Sequence, residues 1–193
     1  MEKIKTAYEK AMERFQQKEV SPAELDRLEY LPKGKALAAA FLNEKNLDLA
    51  AELAKYPAQF RPYVLEGARE TFLQNILLPS DETIGRNNKR ALEGIFLLKQ
   101  DKHALGEISS QMEHLFEYYR QALAQAATNY KESFTARMGA AQKALEKRAG
   151  RKVKINPEKH PGYREGWLKM VGRLNAQYES ALNEQKQKLR EVK

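Results

Sequence analysis

The sequence predicts an all-α protein: a small N-terminal bundle of short helices, then a long antiparallel helical hairpin, a coiled-coil-like arm with a basic tip. Three observations carry this expectation. Gly and Pro are scarce, 10 and 7 of 193 residues, while Ala, Leu, Glu, Lys and Gln are abundant, and those are strong helix formers. Apolar residues recur at three- and four-residue steps along most of the chain. From about Leu105 the recurrence persists to Leu145, breaks over 150–162, and resumes by Trp167.

The elements follow in order. Ile4, Ala7, Tyr8, Ala11, Met12 and Phe15 give residues 3–17 the spacing of a first amphipathic helix. Ser21-Pro22-Ala23-Glu24 reads as a new start: Ser21 caps, Pro22 suits the first turn, and Glu24 returns a bond to the cap backbone. This second helix is expected to be brief, ending near Pro32-Lys33-Gly34, with two short helices, 35–43 and 47–55, around the turn Asn43-Glu44-Lys45-Asn46. In its small packing residues (Ala38, Ala39, Ala50, Ala51, Ala54) that pair resembles one tetratricopeptide-type hairpin. No second copy appears at that family's repeat length, which argues against a solenoid.

Pro57 and Pro62 bracket a bend, and Val64, Leu65, Ala68, Phe72, Leu73 and Ile76 make 63–78 helical. Pro79-Ser80-Asp81 ends that helix and caps the next, about 81–99, with Ile84, Leu92, Ile95, Phe96 and Leu98 turned inward. Asp101 either caps a further helix or sits in one continuous helix over 81–149, and the pattern leaves both open. The boundary between bundle (1–100) and hairpin (101–193) is placed near residue 100.

In the hairpin the first seam reads Ile108, Met112, Leu115, Tyr119, Leu123, Ala126, Tyr130, Phe134, Met138, Ala141, Leu145, and the returning one Trp167, Val171, Leu174, Tyr178, Ala181, Gln185, Val192. A turn near 150–161 would pair Leu145 with Trp167, Ala141 with Val171, Met138 with Leu174, Phe134 with Tyr178 and Tyr130 with Ala181 or Leu182. Two helices cover only part of each apolar stripe, so the remainder predicts a homodimer through the exposed face of the arm or binding of a partner.

Composition excludes several chemistries. The absence of cysteine removes disulfides, thiolate metal sites and Cys nucleophiles. The N-terminus lacks the apolar core of a signal peptide, and the longest apolar run, Ala36–Leu42, is too short to span a bilayer. A cytoplasmic protein without membrane insertion is the expectation. No Gly-Lys-Ser/Thr phosphate loop, dinucleotide Gly-x-Gly-x-x-Gly, Gly-x-Ser-x-Gly elbow or His-Glu-x-x-His occurs.

Charge is unevenly placed. Residues 130–193 hold 16 Lys+Arg against 7 Asp+Glu, and residues 1–129 hold 18 against 19, so the excess belongs to the hairpin. Lys147, Arg148, Arg151, Lys152, Lys154, Lys159 and Arg164, with Lys143, cluster around its turn beside His160, Tyr163 and Trp167. Such cations neutralise phosphates or acidic protein surfaces, and free aromatics could stack on bases. Tyr163 and Trp167 also fall on the seam, which favours core packing for them. Lys147 and Arg148 equally suit a helix C-terminus. Lys186, Lys188, Arg190 and Lys193 form a second basic end.

Three other constellations bring polar or charged side chains together in sequence. His103, Glu107, Ser110, His114 and Glu117 share one helical stripe, as metal ligands can. It lies about 150° from the apolar face, so it is expected to point to solvent. Glu66 and Glu70 would need a pocket to act as acid and base. Asn87-Asn88-Lys89-Arg90, after Gly85-Arg86, could hold a phosphate at a helix start.

In outline the arm resembles the hairpins of bacterial transcript-cleavage factors. Those carry acidic tip residues that hold a catalytic metal, whereas this tip is basic. The expected function is therefore non-catalytic and cofactor-free, docking or scaffolding through the basic arm on an acidic partner. Nucleic-acid binding by the same tip is the alternative, and a metal-dependent helical-bundle enzyme a more distant one.

Overall fold

The computed structural model describes residues 21–44, 46–150 and 156–192. Among these, the regular elements are all helical: α1 (Pro22–Asn43), α2 (Leu49–Ala54), α3 (Arg61–Asn75), α4 (Glu82–Leu98), α5 (Lys102–Ala149) and α6 (Pro161–Glu191). A 3-10 turn, Pro157–Lys159, precedes α6. The expected helix over 3–17 lies outside the described residues. Contacts group the chain into two compact units, up to Phe72 and from Leu73. That division falls earlier than the expected boundary near 100, and α4 groups with the long helices.

In the first unit the Ser21 hydroxyl accepts from the Glu24 N–H at 3.2 Å and the Glu24 carboxylate accepts from the Ser21 N–H at 3.0 Å, the reciprocal cap expected from sequence. The helix does not stop at Pro32. It runs on through Asn43, so the separate helix expected over 35–43 is absent. Proline deprives the Leu28 carbonyl of its helix donor. Leu28 and Pro32 both occupy exposed positions, where water can serve that carbonyl.

The compensating gain comes from a crossing of α1 and α3. A Cβ on Gly34 would lie 2.0 Å from the Val64 carbonyl oxygen, and one on Gly67 would lie 2.1 Å from that of Leu31. Two glycines thus let the backbones touch, and Leu37, Ala38, Phe41, Val64, Ala68 and Phe72 close around them, buried. Beside the crossing, Arg27 grips Glu66 through two nitrogens (2.5 and 3.2 Å) and Lys35 reaches Glu70 at 3.3 Å. The carboxylates weighed as an acid–base pair therefore tie α3 to α1. The second short helix, α2, is capped by Asp48, which accepts from Ala50 and Ala51.

In the second unit, α3 ends earlier than expected and residues 76–80 are non-helical. Asn88, 1% exposed, holds that segment: its amide donates to the Leu77 carbonyl at 2.7 Å and accepts from the Leu77 N–H at 2.9 Å. Asp81 caps α4 through Ile84, as expected. In α4 Ile95 is buried, but Phe96 turns outward under the Lys102 ammonium.

Residues 81–149 form two helices, separated at Lys99-Gln100-Asp101. Asp101 caps α5 by accepting from Ala104 at 3.0 Å. Two lysines stabilise the break. Lys102 donates to the carbonyls of Phe96 and Lys99 at the end of α4. Lys99, 4% exposed, donates to those of Arg190 and Val192 at the end of α6. Cations there satisfy carbonyls that have no helical partner.

The long helices α5 and α6 run antiparallel, as successive contacts prove: Lys99 with Arg190, Tyr119 with Tyr178 and Asn175, Tyr130 with Trp167 and Tyr163, Phe134 with His160. The register differs from expectation by about 15 residues. Tyr130 meets Trp167 rather than Ala181 or Leu182, and Phe134 meets Tyr163 rather than Tyr178. The expected pairing centred the turn on 150–161 and so set the start of α6 level with the end of α5. Instead Glu158, ahead of α6, already bonds Lys131 at 2.7 Å, so α6 begins level with the middle of α5. Phe116 of α5 and Leu182 and Leu189 of α6 are buried as well.

Candidate docking surface

The register is set by an aromatic cluster. Tyr130, Phe134, Tyr163 and Trp167 pack with ring centroids 5.1–5.9 Å apart, separations at which tilted and edge-on rings attract. The Tyr130 hydroxyl donates to the Tyr163 carbonyl at 2.7 Å. It needs Gly166 beneath it, because a Cβ there would lie 2.3 Å from the hydroxyl oxygen. His160 caps α6, its Nδ1 accepting from Gly162 at 3.1 Å, and rests on Phe134. Tyr163 and Trp167 are therefore seam residues, not free platforms for bases.

This register separates the cations expected to share one tip. Lys147 and Arg148 are exposed in the last turn of α5, ahead of Gly150, whose φ of 64° and bond to the Glu146 carbonyl end the helix. Lys159 and Arg164 are exposed beside the aromatic cluster, level with Tyr130 to Phe134. The roughly 17 residues of α5 from Tyr130 to Lys147 rise about 25 Å at about 1.5 Å each. Arg151, Lys152 and Lys154 lie outside the described residues. The cations whose positions are described thus form two groups along α5, with Lys143 on the exposed side of its distal turns.

Three carboxylates of this half are paired with close basic neighbours. Glu158 bonds Lys131, Glu165 bonds Lys169 at 2.6 Å and Glu184 bonds Lys188 at 3.1 Å. The bonds from Lys131 and Lys169 hold the Glu158 and Glu165 carboxyls below the ordinary glutamate range. Lys143, Lys147, Arg148, Lys159 and Arg164 have no carboxylate partner among the described residues. At the second basic end, Lys188 is paired with Glu184, and partial burial lowers the pKa of Lys186.

The remaining constellations resolve differently. His103, Glu107, Ser110, His114 and Glu117 all face solvent; Glu117 is bound by Arg120 and Gln121, which hold its carboxyl below the ordinary range. An open groove of about 960 Å³ between α4 and α5 brings Arg86 and Lys89 across from Glu113, His114 and Glu117 over a floor that includes Phe116. Its rim carries both signs, and the Asn88 amide is taken at both ends by Leu77. The helix start weighed for phosphate is thus occupied by a structural contact. Among the described residues no group of three or more His, Cys, Asp or Glu is placed to hold a metal ion, and no helix is long and apolar enough to cross a membrane.

A family model, that of a family of unknown function (DUF6657), matches residues 50–191. The chain belongs to that family. The DUF6657 match takes in α3 to α6 with the aromatic cluster, the Lys99 contact and the described cations, and it leaves α1 outside. No curated protein and no solved structure matches the chain.

Proposed function

We propose that the protein is a non-catalytic docking protein that engages an acidic protein surface with the cations of its long helical pair. The observation that carries this is the mismatch in pairing: Glu158 and Glu165 have basic partners, whereas Lys143, Lys147, Arg148, Lys159 and Arg164 have no carboxylate partner among the described residues. Exposed like charges repel, and an acidic surface relieves that repulsion while releasing counterions. The two groups, about 14–27 Å apart along α5, suit an extended surface better than a small anion. Tyr163 and Trp167 are half-buried with their rings packed on Tyr130, which disfavours them as stacking platforms for single-stranded nucleic acid.

The test is affinity capture from lysate with the full chain and two variants, Lys143/Lys147/Arg148→Gln and Lys159/Arg164→Gln, each with and without nuclease. An acidic protein retained by the unaltered chain, lost with either variant and indifferent to nuclease is the expected result. Retention abolished by nuclease would turn the reading to nucleic acid. Retention unaffected by both variants would reject the cationic surface.

A further inference from the structure

Helix α4 covers only part of the α5 face on which it packs. From the break at Lys99-Gln100-Asp101 it runs back along α5, and equal rise per residue brings its first residue, Glu82, level with about Tyr118. Along that stretch Ile108, Met112 and Phe116 of α5, and Leu182 and Leu189 of α6, are buried. Past Glu82 the helix no longer covers the face, yet the apolar residues continue. Leu123 and Ala127 are half-buried, Ala124 is exposed, and all three line the same groove as Leu92 and Phe116. The contacts of Tyr119 with Tyr178 and of Tyr130 with Trp167 set Val171 level with Ala126 and Leu168 level with Asn129. Both lie within about 40° of buried Leu182 around α6. Val171 is nevertheless only half-buried and Leu168 is 58% exposed.

Two observations indicate what fits there. The first is α4 itself: the groove continues the seat of an α-helix, in the space α4 would enter if Asp81 did not cap it. From the level of Tyr118 to that of Lys131 it runs about 20 Å, room for about 13 helical residues. The second is the charge at its far end. Arg164 lies on the same side of α6 as Leu182, about five turns away. It is exposed, stands with Lys159 level with Tyr130 to Phe134, and neither has a carboxylate partner among the described residues. The opposed charges Lys89 and Glu113 lie at the other end, beside α4. Between the two ends Arg120 lines the groove on α5, already held by Glu117.

We infer that this groove seats an amphipathic α-helix of the acidic partner. Its apolar face lies on Leu123, Ala127, Leu168 and Val171, and its acidic residues stand at the end over Lys159 and Arg164. The inference deepens the docking reading and rests on it for the charge of the partner; the seat itself follows from the packing of α4.

Photo-cross-linking from the groove tests it. A benzophenone amino acid replaces Leu168 or, separately, Ala124 in the full chain, in cells that produce the protein naturally. The control position is Tyr118, 63% exposed and about 180° from Ala127 around α5, and circular dichroism verifies that each variant folds. Both groove positions, but not Tyr118, should capture one segment of another protein. Its sequence, read by mass spectrometry, should show apolar residues at steps of three and four and an excess of Asp and Glu at one end. A synthetic peptide of that segment, followed by fluorescence anisotropy, should bind Ala124→Glu about tenfold or more weaker than the unaltered chain. No cross-link, a segment of this same chain, a segment lacking the periodicity or the acids, equal capture from Tyr118, or equal affinity for Ala124→Glu would each overturn the inference. Lysate capture that needs the cations, with no cross-link from the groove, would strike this inference and leave the docking reading standing. Capture indifferent to the cation variants would strike the docking reading, whatever the groove yields.

Discussion

The Tyr130 hydroxyl occupies space that any side chain at 166 would claim. Gly166→Ala should raise helix propensity by about 1 kcal/mol, yet overpacking of about 1–3 kcal/mol opposes that gain. A net fall in melting temperature with altered Trp167 emission is expected, and Tyr130→Phe in the same background should restore part of the loss by removing the clashing oxygen. A thermal-denaturation double-mutant cycle checks this, and additive effects would refute the contact. Asn88→Ala should cost about 2 kcal/mol in chemical denaturation, since it strips both partners from the Leu77 backbone. Neither role was legible in sequence. Asn88 stood among basic neighbours at a helix start that could hold a phosphate, and its partner at Leu77 is fixed by the turn of the chain and not by local pattern. The caps at Ser21, Asp81 and Asp101 could be recognised as candidates, since their partners lie within three residues.

Helices α1 and α3 depend on each other where Gly34 and Gly67 meet. Gly34→Ala would put a methyl carbon against the Val64 carbonyl, and a loss of about 3 kcal/mol or more is expected in denaturant titration, although alanine favours helix. That long-range crossing explains why Pro32 misled the sequence reading: a local breaker is outweighed by packing with a segment some thirty residues away. The grip of Arg27 on Glu66 adds a pH signature. It holds the Glu66 carboxyl below its ordinary value, so the folded state binds a proton there less readily than the unfolded chain does. The resulting stability is fully present above the ordinary glutamate range and is lost as pH falls through it and below. Melting temperature followed from about pH 7 to about pH 3 should therefore fall less steeply for Glu66→Gln than for the unaltered chain. Equal slopes would show that the ion pair contributes nothing.

Across the whole molecule, the helical class and the surplus of cations in the last third were readable from composition and periodicity. The placement of those cations was not, because it depends on register, and register depends on a tyrosine hydroxyl, a glycine and a lysine far apart in sequence. Lys99→Met should leave the Arg190 and Val192 carbonyls without their donor. The expected cost is about 1–3 kcal/mol, with faster hydrogen exchange in the last turn of α6 and little change near Trp167; unchanged exchange there would exclude the contact. The Lys99 contact and the Tyr130 cluster lie at opposite ends of the shared length of α5 and α6. Sliding one helix past the other by a single turn, about 5.4 Å, would have to break both together. A load applied to the protruding end of α5 therefore has no low-energy shear to dissipate it. The pair behaves as a strut pinned at two points, passing force along its length by tilting or bending as one piece.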